Sequence, residues 1–135
     1  MKVEDLMIGD WVLVKELDYS NSTNVLSEYQ HQLRLKDFAE MYNAGEYKKY
    51  EPIVLTEEIL EKNNFHSKED FYNHKKFFFL GKNEYNLDAY LDNKSIILVE
   101  ADYEPTVYAY MCDCEYVHQF QHILKDLKIN REIKL

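Results

Sequence analysis

Tyr85-Asn86-Leu87-Asp88-Ala89-Tyr90-Leu91-Asp92 is the stretch on which the fold class turns. Tyr85, Leu87, Ala89 and Leu91 alternate with Asn86, Asp88, Tyr90 and Asp92, the two-residue period of a strand with one covered face. Working outward, Phe77–Leu80 reads as a strand before it. Ile96–Tyr103 and Thr106–Cys112 read as strands after it, separated by turn formers at Asp92-Asn93-Lys94-Ser95 and Glu104-Pro105. Connections this short join neighbouring antiparallel strands, so the segment is expected to be a β-meander.

Beyond Cys112 the period changes to that of a helix, expected over Glu115–Lys128 with Asp113 as its cap. Tyr116, Val117, Phe120, Ile123, Leu124 and Leu127 fall within an arc of about 120°, and that face is expected to cover the meander. The tail Glu132-Ile133-Lys134-Leu135 reads as a last short strand. Upstream, Thr56 suits a helix N-cap. Glu57 and Glu58 set negative charge at the positive end of the dipole, Leu55 and Leu60 form a hydrophobic staple, and Asn63-Asn64 ends the helix. Near the start, Trp11-Val12-Leu13-Val14 reads as a buried strand entered through Gly9-Asp10, and residues 18–24 as a polar turn. Tyr29, His31, Leu33 and Leu35 alternate as a second strand of a hairpin. Phe38, Met41 and Tyr42 have helical spacing, with Gly45 placed to end the turn of helix. The expected fold is therefore α+β over a single domain, 1–135. It comprises a small N-terminal β unit, a short middle helix and an antiparallel β-meander covered by a C-terminal helix.

Composition narrows the chemistry. The chain has 135 residues, 46% of them apolar and 15% aromatic, which is enough for a packed core. Gly9, Gly45 and Gly81 are its only glycines, so no phosphate-cradling glycine loop and no Gly-x-Ser-x-Gly elbow is present. The net charge of −9 is spread along the chain rather than held in a tail. It reads as a solubilising surface, and it disfavours direct nucleic-acid binding, which draws its affinity from Lys and Arg. An acidic mimic of nucleic acid, directed at a DNA-binding protein, is one alternative function. The acidic start Met1-Lys2-Val3-Glu4-Asp5 is not a secretory signal, no apolar run reaches membrane-spanning length, and two close cysteines suit a reducing compartment. The expected location is cytoplasmic, with no membrane association.

The residues with the most chemistry are Cys112, Cys114, His118 and His122. Cys and His sets suit zinc, and a cysteine with a nearby histidine suits nucleophilic catalysis. A small metal- or cysteine-dependent enzyme around these four is thus the alternative to a binding protein. Against it, His118 and His122 fall opposite the apolar arc, and free cysteines usually serve as small buried hydrophobes. No catalytic residue and no cofactor is expected. Paired acids such as Glu57/Glu58 and Asp102/Glu104 read as helix-start or surface charge. The aromatic excess points instead to contact with an unidentified protein partner or a second copy of the chain, because tyrosine is enriched at interfaces. Tyr108, Tyr110, Tyr116, His118 and Gln121 are the candidate interaction residues.

Four segments in order also carry a likeness: Val3–Val12, Glu51–Leu60, Asn63-Asn64-Phe65 and Tyr116-Val117-His118-Gln119-Phe120-Gln121. They resemble a group of uncharacterised small proteins from gut anaerobic bacteria, their phages and mobile elements. That group typically opens with Ile-Gly-Asn/Asp-Trp-Val, carries Pro-Ile-Pro-Leu-Thr-Glu-Glu-Ile-Leu and ends in a Val-His-Gln-Leu-Gln helix. Val54 and Phe120 depart from that pattern. The resemblance implies a fold and a genomic setting and no activity. It singles out His118 and Gln121, whose side of the helix is expected to pack against another part of the protein or a partner. The expectation is an interaction or accessory protein of phage or mobile-element origin.

Overall fold

The computed structural model describes residues 3–18, 20–21, 23–43, 48–70, 73–82, 85–100, 108–129 and 132–135. Its class is α+β, with helices and antiparallel sheets. The contacts gather into two compact units. One is Met1–Val54 with Tyr116–Leu127, and the other is Leu55–Glu115 with Lys128–Leu135.

In the first unit a 3-10 turn, Val3–Asp5, precedes β1 (Trp11–Leu17), β2 (Val25–Gln32), α1 (Leu35–Asn43) and β3 (Lys48–Pro52). The strands form a three-stranded antiparallel sheet in the order β2-β1-β3. Strand alternation sets its two faces. Val12 and Val14 are fully buried and gather Leu6 and Leu33, with Phe38, Met41 and Tyr50 packed against them. The intervening positions carry an ion-pair ladder, in which Lys15 Nζ lies 2.8 Å from Glu51 and 3.7 Å from Glu28, and Lys49 lies 3.0 Å from Glu51.

The expected turn after β1 is present: Asp18 accepts from Ser20, Asn21 accepts from Thr23, and the Asp18 N–H donates to Asn24 O at 2.9 Å. The second strand ends earlier than its alternation suggests. Leu33 is buried, but Leu35 is 74% exposed and opens α1. Asp37 explains the change of period. Its carboxylate accepts the Arg34 N–H at 2.6 Å, and its own N–H returns to Arg34 O, a reciprocal pair that starts a helix. Gly45 lies outside the described residues.

In the second unit α2 (Glu57–Lys62) forms as expected. Thr56 Oγ1 accepts the Ile59 N–H at 3.3 Å, and Asn64 takes the left-handed conformation with φ 66°. Phe65 then folds back under the helix end, its N–H on Leu60 O. β4 (His66–Glu69), β5 (Lys76–Lys82), β6 (Tyr85–Tyr90), β7 (Ser95–Glu100) and β8 (Tyr108–Asp113) form an antiparallel meander in sequence order. Phe78, Ala89, Ile96 and Cys112 stand opposite one another across neighbouring strands, and the first three are buried. The next row holds Phe79, Asp88 and Ile97, all half-buried. Residues 101–107, including the Glu104-Pro105 turn, lie outside the described residues.

Two expectations about the C-terminal segment need correction. Its helix, α3 (Val117–Asp126), is not capped by Asp113, which belongs to β8. The first turn is closed by Gln119, whose Oε1 accepts the Tyr116 N–H at 3.1 Å. The tail is no strand. Asn63 instead holds it, with its Oδ1 accepting the Lys134 N–H and its Nδ2 donating to Lys134 O, both at 2.8 Å. The contacts of α3 place it in the first unit, where the Val117 N–H donates to Ile53 O at 2.8 Å.

Candidate functional site

The chemistry-bearing side of α3 is engaged with residues 9–11 of its own unit. Gly9, with φ 97°, forms a bulge with Asp10 opposite Leu33: the Gly9 N–H donates to Leu33 O at 2.8 Å, and the Leu33 N–H to Asp10 O at 2.9 Å. The bulge turns Asp10 inward, where it is 3% exposed and accepts the Met7 N–H at 2.7 Å. His122 Nε2 reaches the same carboxylate, 2.8 and 3.0 Å from its two oxygens. Gln121 spans the bulge with both ends of its amide. Its Oε1 accepts the Trp11 N–H at 3.0 Å, and its Nε2 donates to Gly9 O at 3.1 Å, beside Gln32 Nε2 at 2.9 Å.

His118 is buried at 4% exposure between the parallel ring of Tyr116 and the edge of His122, with ring centroids 5.9 and 6.0 Å away. Burial holds its pKa below the ordinary histidine value. Of the five candidate interaction residues, Tyr116, His118 and Gln121 are therefore turned to partners within the first unit. Tyr108 and Tyr110 lie on β8, with side chains outside the described residues.

Cys112 and Cys114 belong to the second unit, and His118 and His122 to the first. Among the described residues no group of three or more His, Cys, Asp or Glu side chains is placed to hold an ion. Cys114 is 2% exposed, and burial pushes its thiol up to about 12. A thiol with that pKa offers almost no thiolate near neutral pH, so it makes a poor nucleophile.

The open surface of the first unit lies along β2, which composition did not single out. Among the described residues β2 is the longest of the edge strands, eight residues against five, four and six for β3, β4 and β8. Proteins ordinarily blunt such edges with lysine, proline or short length. β3 carries Lys48, Lys49 and Pro52, and β4 is short with Lys68, whereas Val25-Leu26-Ser27-Glu28-Tyr29-Gln30-His31-Gln32 has neither lysine nor proline. Val25 is 45%, Leu26 65% and Tyr29 39% exposed. The signal in the sequence was this run beside a turn, with one carboxylate, Glu28, and no lysine or proline. Alternation alone made it look half-buried.

A groove of about 550 Å³ opens at the far end of the strand. Ile8, Trp11, Gln30, His31, Gln32, Leu33 and Arg34 line it together with Gly9, so its wall has no carboxylate and one guanidinium. On the adjoining side a smaller cleft of about 210 Å³ holds His31, whose Nε2 lies 2.9 Å from buried Asp37. Tyr50 closes that cleft beside Glu40, and burial together with the Glu40 charge pushes its hydroxyl up to about 12. The Asp37 bond fixes the His31 ring between the two hollows.

Among the described residues no helix is long and apolar enough to cross a membrane. No protein-family model matches the chain, and no curated protein or solved structure is found to match it.

Proposed function

We propose that this chain is a non-enzymatic interaction protein that engages its partner by strand addition along β2. The observation that carries the reading is a long edge strand without lysine or proline, with exposed apolar residues at one end and an amphipathic groove at the other. An added strand gains affinity from main-chain hydrogen bonds and specificity from pockets that take alternate side chains. β2 offers both. Leu33 directs its N–H and C=O at β1, and alternation then turns those of Glu28, Gln30 and Gln32 to the free side. The resemblance to small phage and mobile-element proteins supports an accessory role, and the two close cysteines suit a reducing, cytoplasmic setting.

The test is selection of extended peptides against the full chain, followed by fluorescence anisotropy with Gln30→Pro. Proline at position 30 removes an N–H that points to the free side and leaves the β1 ladder intact. Selected peptides are expected to bind the native chain and to lose about tenfold or more in affinity for the variant. Peptides that bind both chains equally would overturn strand addition.

A further inference from the structure

We infer that the strand added to β2 is β2 of a second copy of this chain, antiparallel, with Tyr29 opposite Tyr29. The inference rests on the strand-addition reading and names its partner. Two copies of one edge strand pair about a two-fold axis normal to the sheet, which keeps each residue on its own face. Residues that meet across the axis must therefore share a face, so the axis passes between the two copies of one residue.

Three registers use the strand's middle. Centring on Glu28 sets the two Glu28 carboxylates against each other, and like charges directly opposite are destabilising. Centring on Gln30 slides the strands apart and shortens the ladder. Centring on Tyr29 pairs Glu28 with Gln30 and Ser27 with His31, with no like charges opposed. It also uses the backbone correctly, because the outward N–H and C=O groups of Glu28 and Gln30 then meet each other, while Tyr29 faces its copy at a non-hydrogen-bonded position.

The same register accounts for the two ends of the strand. Leu26 is the extra residue where the β1–β2 register slips between Glu16 and Leu17, which frees it from the β1 ladder. In the Tyr29-centred pair, Leu26 of the second copy falls across from Gln32, with Val25 next to it, at the groove with Ile8 and Trp11. Val25 and Leu26 are among the most exposed apolar residues described, and Ile8 on the groove wall is 64% exposed. Each copy thus fills the other's groove, and one operation covers both apolar exposures. The opposing force is the net charge of −9 on each chain, which salt screens.

Sedimentation velocity of the full chain over a concentration series is expected to show a monomer–dimer equilibrium that tightens as salt is raised. Gln30→Pro and Leu26→Asp are each expected to weaken self-association by about tenfold or more. Leu26 is exposed, so its variant keeps the test decisive if the proline variant fails to fold by circular dichroism. Tyr29→Cys is expected to give a covalent dimer under mild oxidation, because non-hydrogen-bonded partners sit about 4.5 Å apart between Cα atoms, within disulfide reach. Glu28→Cys is expected to give far less, with linkage sites read by peptide mass mapping. A chain that stays monomeric throughout, a dimer indifferent to both β2 variants, or cross-linking favoured at position 28 would overturn the inference. A monomer that still binds selected peptides through Gln30 would overturn the second copy alone and leave strand addition standing. Loss of both would overturn the two together.

Discussion

Asp88→Asn is expected to stabilise the protein at mildly alkaline pH and to have almost no effect in acid. Asp88 stands on β6 opposite Phe79 and Ile97, in a row that includes His66 on β4. Burial pushes its carboxyl from 3.8 to about 6, with the Lys68 charge pulling it down in part and the Asp70 charge pushing it up. A tenfold change in proton affinity is worth about 1.4 kcal/mol, so a fully buried carboxylate with this shift would cost about 3 kcal/mol once ionised. The side chain is only half-buried, and solvent screening reduces the figure to about 1–2 kcal/mol. The sign follows from the direction of the shift. A raised carboxyl pKa gives stability that is complete below the unfolded value of 3.8 and is lost as pH rises through about 6. Asparagine keeps the shape and never ionises. Urea denaturation of both chains at about pH 8 is expected to show Asp88→Asn ahead by about 1–2 kcal/mol, or about 3–8 °C in Tm. At about pH 4 the two curves are expected nearly to coincide. An equal difference at both pH values, or a less stable variant at pH 8, would refute the desolvation reasoning.

The polar side of α3 and the buried thiol supply two more outcomes. Gln121→Ala removes the acceptor of the Trp11 N–H and one donor to Gly9 O, and is expected to cost about 1–3 kcal/mol in equilibrium denaturation, because two hydrogen bonds worth about 0.5–1.5 kcal/mol each are lost. Retained stability would show that water replaces the amide without loss. Alkylation of the folded chain by iodoacetamide near neutral pH, followed by mass spectrometry, is expected to label Cys112 well before Cys114, whose thiol is pushed up to about 12. Equal labelling rates would restore Cys114 as a candidate nucleophile.

Local patterns made much of the fold legible. The two-residue period of 85–92 fixes β6, and the turn formers at 92–95 are realised with Lys94 at φ 50° and the Lys94 N–H on Leu91 O. Thr56 and Asn63-Asn64 mark the ends of α2 because caps act within one turn of chain. The failures have a shared cause. Asp113 looked like a cap by position, but the pairing of β8 with β7 claims it, and a side chain in α3 performs the closure. Leu35 continued an alternation that Asp37 interrupts through a hydrogen bond three residues back. The tail looked like a strand because nothing local shows that Asn63 can mimic one, with a donor and an acceptor on one side-chain amide.

The candidate site was less legible. His118, Gln121 and His122 stood out as polar residues opposite an apolar arc, which by itself means solvent or a partner. Gln121 and His122 bond to the segment Gly9–Trp11, some 110 residues away in the chain, and His118 lies between the rings of Tyr116 and His122. β2 is legible as a strand, since Tyr29, His31 and Leu33 alternate, but that alternation carries no sign that its edge stays open.

By itself, then, the sequence determined the α+β class, the meander, the cap and end of α2, and the lack of a phosphate-binding glycine loop. Each depends on residues within a few positions of one another, where backbone geometry and short side chains dictate the outcome. Only the tertiary structure decided that α3 bonds to residues 9–11, that Cys114 is buried and that β2 is left at an edge. Those outcomes depend on which segment the rest of the chain covers, and covering is a property of three-dimensional packing that no local spacing encodes.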